Sequence, residues 1–206
     1  MTRRVGIFVF DDVEVLDFAG PYEVFTTASR VQRRRLPAAP AAYEVFTVGP
    51  GAPGSMVRAR AGLRVQIDHG LDAHPPIDLL IVPGGVVAAE LARPAVAPWL
   101  LACAARAELT ASVCTGAFLL AQAGLLAGRC VTTHWEDIAE LRALHPQLVV
   151  LEGRRWVDEG AVVTSAGISA GIDMSLHLVE RTAGRELALA TARQMEFDWT
   201  PDRLAT

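Results

Sequence analysis

The chain has 206 residues, 51% of them apolar and 20% charged, a composition that excludes a disordered or low-complexity protein and suits one well-buried α/β domain over residues 1–206. With 19 basic against 23 acidic residues the formal net charge is −4, so neither a nucleic-acid backbone nor an anionic membrane surface is an expected partner, and a small molecule is. Three cysteines without a CxxC pair argue against a disulfide framework or zinc site and for a reducing, cytoplasmic setting.

The first apolar run, Val5-Gly6-Ile7-Phe8-Val9-Phe10, is too short for a secretory signal and stops at Asp11-Asp12; no later run reaches the ~18 apolar residues a membrane helix needs. Instead it reads as a central strand buried on both faces. A helix is expected behind it with Pro21 at its first position and Val24, Phe25 and Ala28 on its apolar face, which puts Asp17 in the loop or short turn between strand and helix. The run Arg33-Arg34-Arg35 before a Pro/Ala-rich stretch lacks interleaved aromatics, so a solvated loop is expected there rather than a phosphate patch.

Residues 43–48 alternate and end in Gly49-Pro50-Gly51, as a second strand would, and residues 57–60 and 63–67 suit a small hairpin. Leu79-Leu80-Ile81-Val82 is a fully apolar strand running into Pro83-Gly84-Gly85, a turn suited to close backbone approach. A helix is expected over 95–107. Next comes Leu109-Thr110-Ala111-Ser112-Val113-Cys114-Thr115-Gly116-Ala117, a strand that turns at a cysteine straight into a helix over 117–126. Residues 131–133 read as a short β segment, 135–144 as a helix stopped at His145-Pro146, and 148–151, 155–157 and 161–165 as strands. Helices through about 182 and over 186–197 close the chain. Strands alternate with helices throughout, which defines a doubly wound α/β sandwich with a mainly parallel sheet.

The Cys114 turn has the form of a nucleophile elbow, with Ser112 and Gly116 as the small neighbours that let strand and helix approach. A helix N-terminus behind the sulfur favours its anion, so the thiol is expected to ionise readily. The alternative is a small buried hydrophobe. That alternative suits Cys103 and Cys130, which lie in apolar surroundings. The Asp17 loop, the Gly84-Gly85 turn and the elbow each follow a strand and therefore converge on one sheet edge, where doubly wound folds bind ligands. The Gly85 and Thr115 amides could form an oxyanion hole, one donor of which is typically worth ~3 kcal/mol. Asp17 either caps the following turn or sits beside the sulfur, where burial beside a thiolate raises its pKa and keeps a proton on it for transfer. Of five histidines, His134 is nearest in sequence, with a structural hydrogen bond the first reading and catalysis the second. No metal-ligand spacing, dinucleotide fingerprint or Walker loop occurs, so neither metal nor nucleotide cofactor is expected.

The motifs Leu16-Asp17-Phe18-Ala19-Gly20-Pro21-Tyr22-Glu23, Val82-Pro83-Gly84-Gly85, Ser112-Val113-Cys114-Thr115-Gly116-Ala117, Thr132-Thr133-His134-Trp135 and Ser165-Ala166-Gly167-Ile168-Ser169, in that order, resemble the ThiJ/PfpI superfamily, a class I glutamine amidotransferase-like domain, almost end to end. Within it the chain looks most similar to the isocyanide hydratase branch and to the amino-terminal domains of AraC-type transcription regulators. The resemblance implies a flavodoxin-like sandwich, a homodimer, Cys114 as nucleophile, Asp17 as its acidic partner and Thr115 beside the sulfur. Protease-like and glyoxalase-like members commonly carry histidine after the cysteine and glutamate at the acidic position, so Thr115 and Asp17 favour the hydratase branch. There, a Cys114 thiolate attacks an isocyanide, Asp17 protonates the carbon, and water releases an N-substituted formamide without a cofactor. The alternatives are a stand-alone ligand-sensing domain and a glyoxalase- or deglycase-type enzyme. The regulators carry a helix-turn-helix region after this domain, and the chain ends eight residues beyond Asp198, so no DNA-binding segment is expected.

Overall fold

Short apolar runs alternating with helical stretches build a layered α/β sandwich, described over residues 1–199 in a computed structural model. In chain order the elements are β1 (Arg3–Phe8), α1 (Val15–Arg35), β2 (Tyr43–Gly49), β3 (Met56–Arg58), β4 (Arg64–Gln66), β5 (His69–Gly70), β6 (Leu79–Val82), α2 (Ala88–Leu91), α3 (Val96–Ala104), β7 (Leu109–Val113), α4 (Gly116–Gln122), β8 (Cys130–Val131), α5 (Ile138–Leu144), β9 (Val149–Val150), β10 (Trp156–Asp158), β11 (Val162–Ser165), α6 (Ala170–Ala183) and α7 (Arg185–Gln194).

Seven strands form one sheet in the order β10-β11-β7-β6-β1-β2-β5. Every pairing in it is parallel except that of the edge strand β10 with β11. Parallel strands put their carboxyl ends on one edge, so the segments that follow β1, β6, β7 and β11 leave the sheet together. All of β6 and β7 is buried, as are the last four residues of β1; with both faces covered, β1 and β6 read as continuous apolar runs rather than alternations. Helices α1, α6 and α7 pack on one another, and α2, α3 and α4 do the same. The hairpin expected near residue 60 forms from β3 and β4, antiparallel around a 3-10 turn at Arg60–Gly62.

Three expectations are corrected. Helix α1 begins at Val15, so Pro21 lies inside it and Asp17 in its first turn rather than in a loop. Glu14 caps the helix, its side chain accepting from Val15 N–H at 3.2 Å, and an acid in the first turn suits the positive end of the helix. Proline at position 21 removes the bond to the Asp17 carbonyl one turn earlier and sets its ring against that carbonyl. Arg33, Arg34 and Arg35 form the last turn of α1 rather than a loop; Arg34 donates to Gln194 and Arg35 to Glu186 of α7, and cations suit a helix carboxyl end. The helix expected over 135–144 divides into a 3-10 turn at Trp135–Asp137 and α5.

Candidate active site

At the carboxyl end of β7 the chain reverses through Cys114, which has φ 56°. A side chain in this left-handed region costs about 1–2 kcal/mol of backbone strain, so the surrounding contacts must hold it there. They are visible. The Cys114 amide is shared between the carbonyls of Ser165 and Ala166 at 3.2 and 3.3 Å, and the Thr133 hydroxyl donates to the Cys114 carbonyl at 2.8 Å. Helix α4 can begin so close to β6 because residue 116 is glycine; a Cβ there would overlap the Val82 carbonyl oxygen.

The turn after β6 interlocks with this elbow. Thr115 Oγ1 donates to the Gly85 carbonyl and accepts from the Gly85 amide, both at 2.9 Å. Gly84 lies flat against the elbow, where a Cβ would stand 3.0 Å from Cys114 Cβ and 2.5 Å from Thr115 N. The Gly84 amide donates to Asp17 Oδ2 at 3.0 Å, and its carbonyl accepts from Glu14 N–H at 2.9 Å. Cys114, Asp17, Thr115, Gly84 and Gly85 thus meet at one place. The Gly85 amide, expected in an oxyanion hole, is instead taken by Thr115 Oγ1; of the expected pair of donors, it is the Thr115 amide that is directed to the sulfur.

Asp17 is fully buried. Among the described residues its Oδ1 has no partner of ordinary hydrogen-bond geometry, while the Cys114 thiol and the Ile168 amide lie near enough to stabilise its charge. Burial pushes its pKa up to about 7; the Gly84 amide opposes that rise and the nearby Glu14 charge adds to it. The main cause is therefore the burial that was expected, while Cys114 enters as a hydrogen-bond partner that opposes the rise rather than as a repelling charge. Burial likewise pushes the Cys114 thiol up to about 12, with the Asp17 charge acting in the same direction and Thr115 opposing it. Burial and the Asp17 charge thus oppose the expected ready ionisation of the sulfur, which Thr115 alone favours among its neighbours.

His134 takes the structural role. It caps the turn before α5, its Nδ1 facing the Glu136 amide at 3.4 Å and Asp137 Oδ2 at 3.5 Å, and its ring lies against Gly167 with no room for a Cβ. Among the described residues no hydrogen bond joins it to Cys114. Cys103 is buried, with its sulfur 3.8 Å from His74 Nε2 and its thiol pushed up to about 11 by burial, and Cys130 is half-buried in β8. No group of three or more His, Cys, Asp or Glu among the described residues could hold a metal ion, and no helix among them is long and apolar enough to cross a membrane. The sequence reading missed three contributors: Glu14, which perturbs Asp17; Thr133, which anchors the elbow; and Ile168, whose own φ of 53° turns its amide towards Asp17. The fragment Ser165-Ala166-Gly167-Ile168 carried resemblance without a role, and a β-branched residue in left-handed backbone leaves no trace in sequence.

A mainly parallel flavodoxin-like sheet with a strained cysteine elbow facing a buried acid defines the class of the molecule. The chain belongs to the DJ-1/PfpI family, whose family model matches residues 3–181. It is 31% identical over 196 residues to the HTH-type transcriptional regulator GbdR of Pseudomonas aeruginosa, covering 95% of this chain and 51% of the regulator. It is 30% identical over 203 residues to the isonitrile hydratase of Pseudomonas putida, covering 98% of this chain and 81% of that enzyme. The crystal structure of a THiJ/PfpI family protein from Pseudomonas syringae superposes with a TM-score of 0.83 at 24% identity, covering 100% of this chain and 79% of that one. The chain spans about half the length of the regulator it matches.

Proposed function

We propose that the protein is a cofactor-independent cysteine enzyme that hydrates an isocyanide, R–N≡C, to an N-substituted formamide. The observation that carries this reading is the pairing of a Cys114 thiol with a buried Asp17 whose pKa is near 7, supported by the likeness to the Pseudomonas putida isonitrile hydratase. A carboxyl group titrating near neutrality can take a proton and return it within one cycle.

In the proposed cycle the Asp17 carboxylate accepts the thiol proton as the Cys114 sulfur bonds to the terminal isocyanide carbon. The same proton then passes from Asp17 to that carbon, giving the thioimidate R–N=CH–S–Cys114. Water adds to the thioimidate carbon, one of its protons reaching the nitrogen by way of Asp17. As the C=O bond forms, the C–S bond breaks, R–NH–CHO leaves and the remaining proton restores the thiol. The Thr115 amide supports negative charge on sulfur while the bond forms and breaks. The active unit in this reading is a homodimer, which sedimentation would check.

The test is to incubate the protein with an alkyl and an aryl isocyanide and follow formamide by chromatography, beside Cys114→Ala. Turnover lost in the variant is expected; unaltered turnover in Cys114→Ala overturns the mechanism. The 31% identity to GbdR favours a second reading, a ligand-sensing domain, which gains if small ligands raise the melting temperature and no isocyanide is consumed. Consumption of methylglyoxal in the same assay would point to a glyoxalase.

A further inference from the structure

Beside the elbow lies a cavity of about 370 Å³ whose walls include Thr133, His134, Trp135, Arg154, Arg155 and Ile168. Two of these wall residues also touch the elbow and its acid: the Thr133 hydroxyl donates to the Cys114 backbone carbonyl, and the Ile168 amide faces Asp17. Its charge is one-sided. No aspartate or glutamate among the described residues lines the cavity. Arg155 is matched by buried Asp173, its Nε donating to Asp173 Oδ2 at 2.6 Å, but Arg154 makes no ion pair among the described residues. The acid closest to it in sequence, Glu152, is turned to Arg142 at 3.8 Å. The two acids beside His134, Glu136 and Asp137, face its Nδ1. A half-buried guanidinium without a counter-ion is a strong site for an oxyanion, which it can grip with two parallel N–H donors.

The wall also carries the apolar side chains of Trp135, Ile138 and Ile168, set among the polar Thr132, Thr133, His134 and Ser169. Trp135 is 74% exposed and Ile168 39% exposed, two large hydrophobic side chains lining the same cavity as Arg154. This combination fits a small organic molecule with an apolar body and an anionic terminus. We propose that the substrate carries a carboxylate, held by Arg154, with its body against Trp135 and Ile168 and its reactive end directed to Cys114. The proposal rests on the hydratase reading for the reactive end only; the carboxylate site stands on the cavity itself.

The test compares isocyanoacetate and 6-isocyanohexanoate with their methyl esters in the wild type, Arg154→Gln and Arg154→Lys. At least one acid is expected to exceed its ester in kcat/KM by about tenfold, a gap that closes in Arg154→Gln through KM and is partly restored in Arg154→Lys. Acids and esters used equally, or a preference that survives Arg154→Gln, overturns the proposal. If none of the four compounds is consumed while the alkyl and aryl isocyanides are, the proposal is overturned; if no isocyanide at all is consumed, the hydratase reading fails, and calorimetry with N-formylglycine and N-formyl-6-aminohexanoate against their methyl esters decides the site separately. Binding of an acid that is lost in Arg154→Gln upholds it, and binding of neither acid, or of acid and ester alike, overturns it.

Discussion

The Asp17 carboxyl group is held by the Gly84 amide at 3.0 Å, so the acid that faces the Cys114 thiol is positioned from the turn after β6 as well as from the helix that carries it. Helix α1 sets its height and Gly84 its rotation. The free oxygen is left for the thiol.

From this division of labour, Cys114→Ala and Asp17→Asn should behave differently. Cys114→Ala removes the bond-forming atom and should abolish formamide production, by at least about a thousandfold. Asp17→Asn keeps the shape and an acceptor for the Gly84 amide, so substrate should bind while proton transfer fails, lowering kcat by about a hundredfold or more. Equal KM values with a collapsed kcat in Asp17→Asn would bear this out; wild-type kcat would refute it.

The pH dependence of turnover follows from the same residue. Only the Asp17 carboxylate can accept the thiol proton, so kcat/KM should rise as pH passes about 7, where burial has placed that group. Because the Glu14 charge pushes Asp17 upwards, Glu14→Gln, which keeps a cap acceptor, should move the midpoint to lower pH. A profile flat from pH 5 to 9, or a midpoint unmoved in Glu14→Gln, would count against this assignment.

Stability should depend on pH with the opposite sign. Between about 4 and 7 the folded protein keeps a proton on Asp17 that the unfolded chain has lost. The folded state therefore binds more protons, and stability falls as pH rises through that window, then levels above about 7. The ceiling, at ~1.4 kcal/mol for each unit of pKa difference, is on the order of 4 kcal/mol. Denaturant titrations at pH 5 and pH 8 should show the loss in wild type and a smaller one in Asp17→Asn.

Thr115→Val tests the link between the two turns. Valine keeps the shape but leaves the amide and carbonyl of Gly85 without the partners they have at 2.9 Å, which should cost about 1–3 kcal/mol. Gly116→Ala is harsher, since its Cβ meets the Val82 carbonyl oxygen; a loss of about 3 kcal/mol or more is expected. Urea midpoints would rank the two.

Much of this arrangement was legible in the residues. The unbroken apolar runs of β1 and β6 announce strands buried on both faces, and Ser112-Val113-Cys114-Thr115-Gly116 announces the elbow through its small neighbours. The convergence of Asp17, Gly84 and Cys114 follows from parallel strands sharing a carboxyl edge. What was not legible depends on the third dimension. Pro21 carries the mark of a helix start, yet it lies within α1, where it removes one hydrogen bond. The thiol beside a helix N-terminus should ionise, yet burial, whose depth has no signature in local sequence, pushes its pKa the other way. The Gly85 amide was available on paper and is consumed by a side chain thirty positions along the chain.

The interlock of Gly84 with Asp17 and Cys114 also bears on how the molecule forms. The three residues lie on segments that follow β1, β6 and β7, and come together only once those strands have paired in register across long separations of chain. Non-local parallel pairing is the slow part of folding for such sheets. Thiol reactivity that responds to Asp17 should therefore return late in refolding, after helical content has recovered, making the chemistry of one sulfur a timer for closure of the sheet.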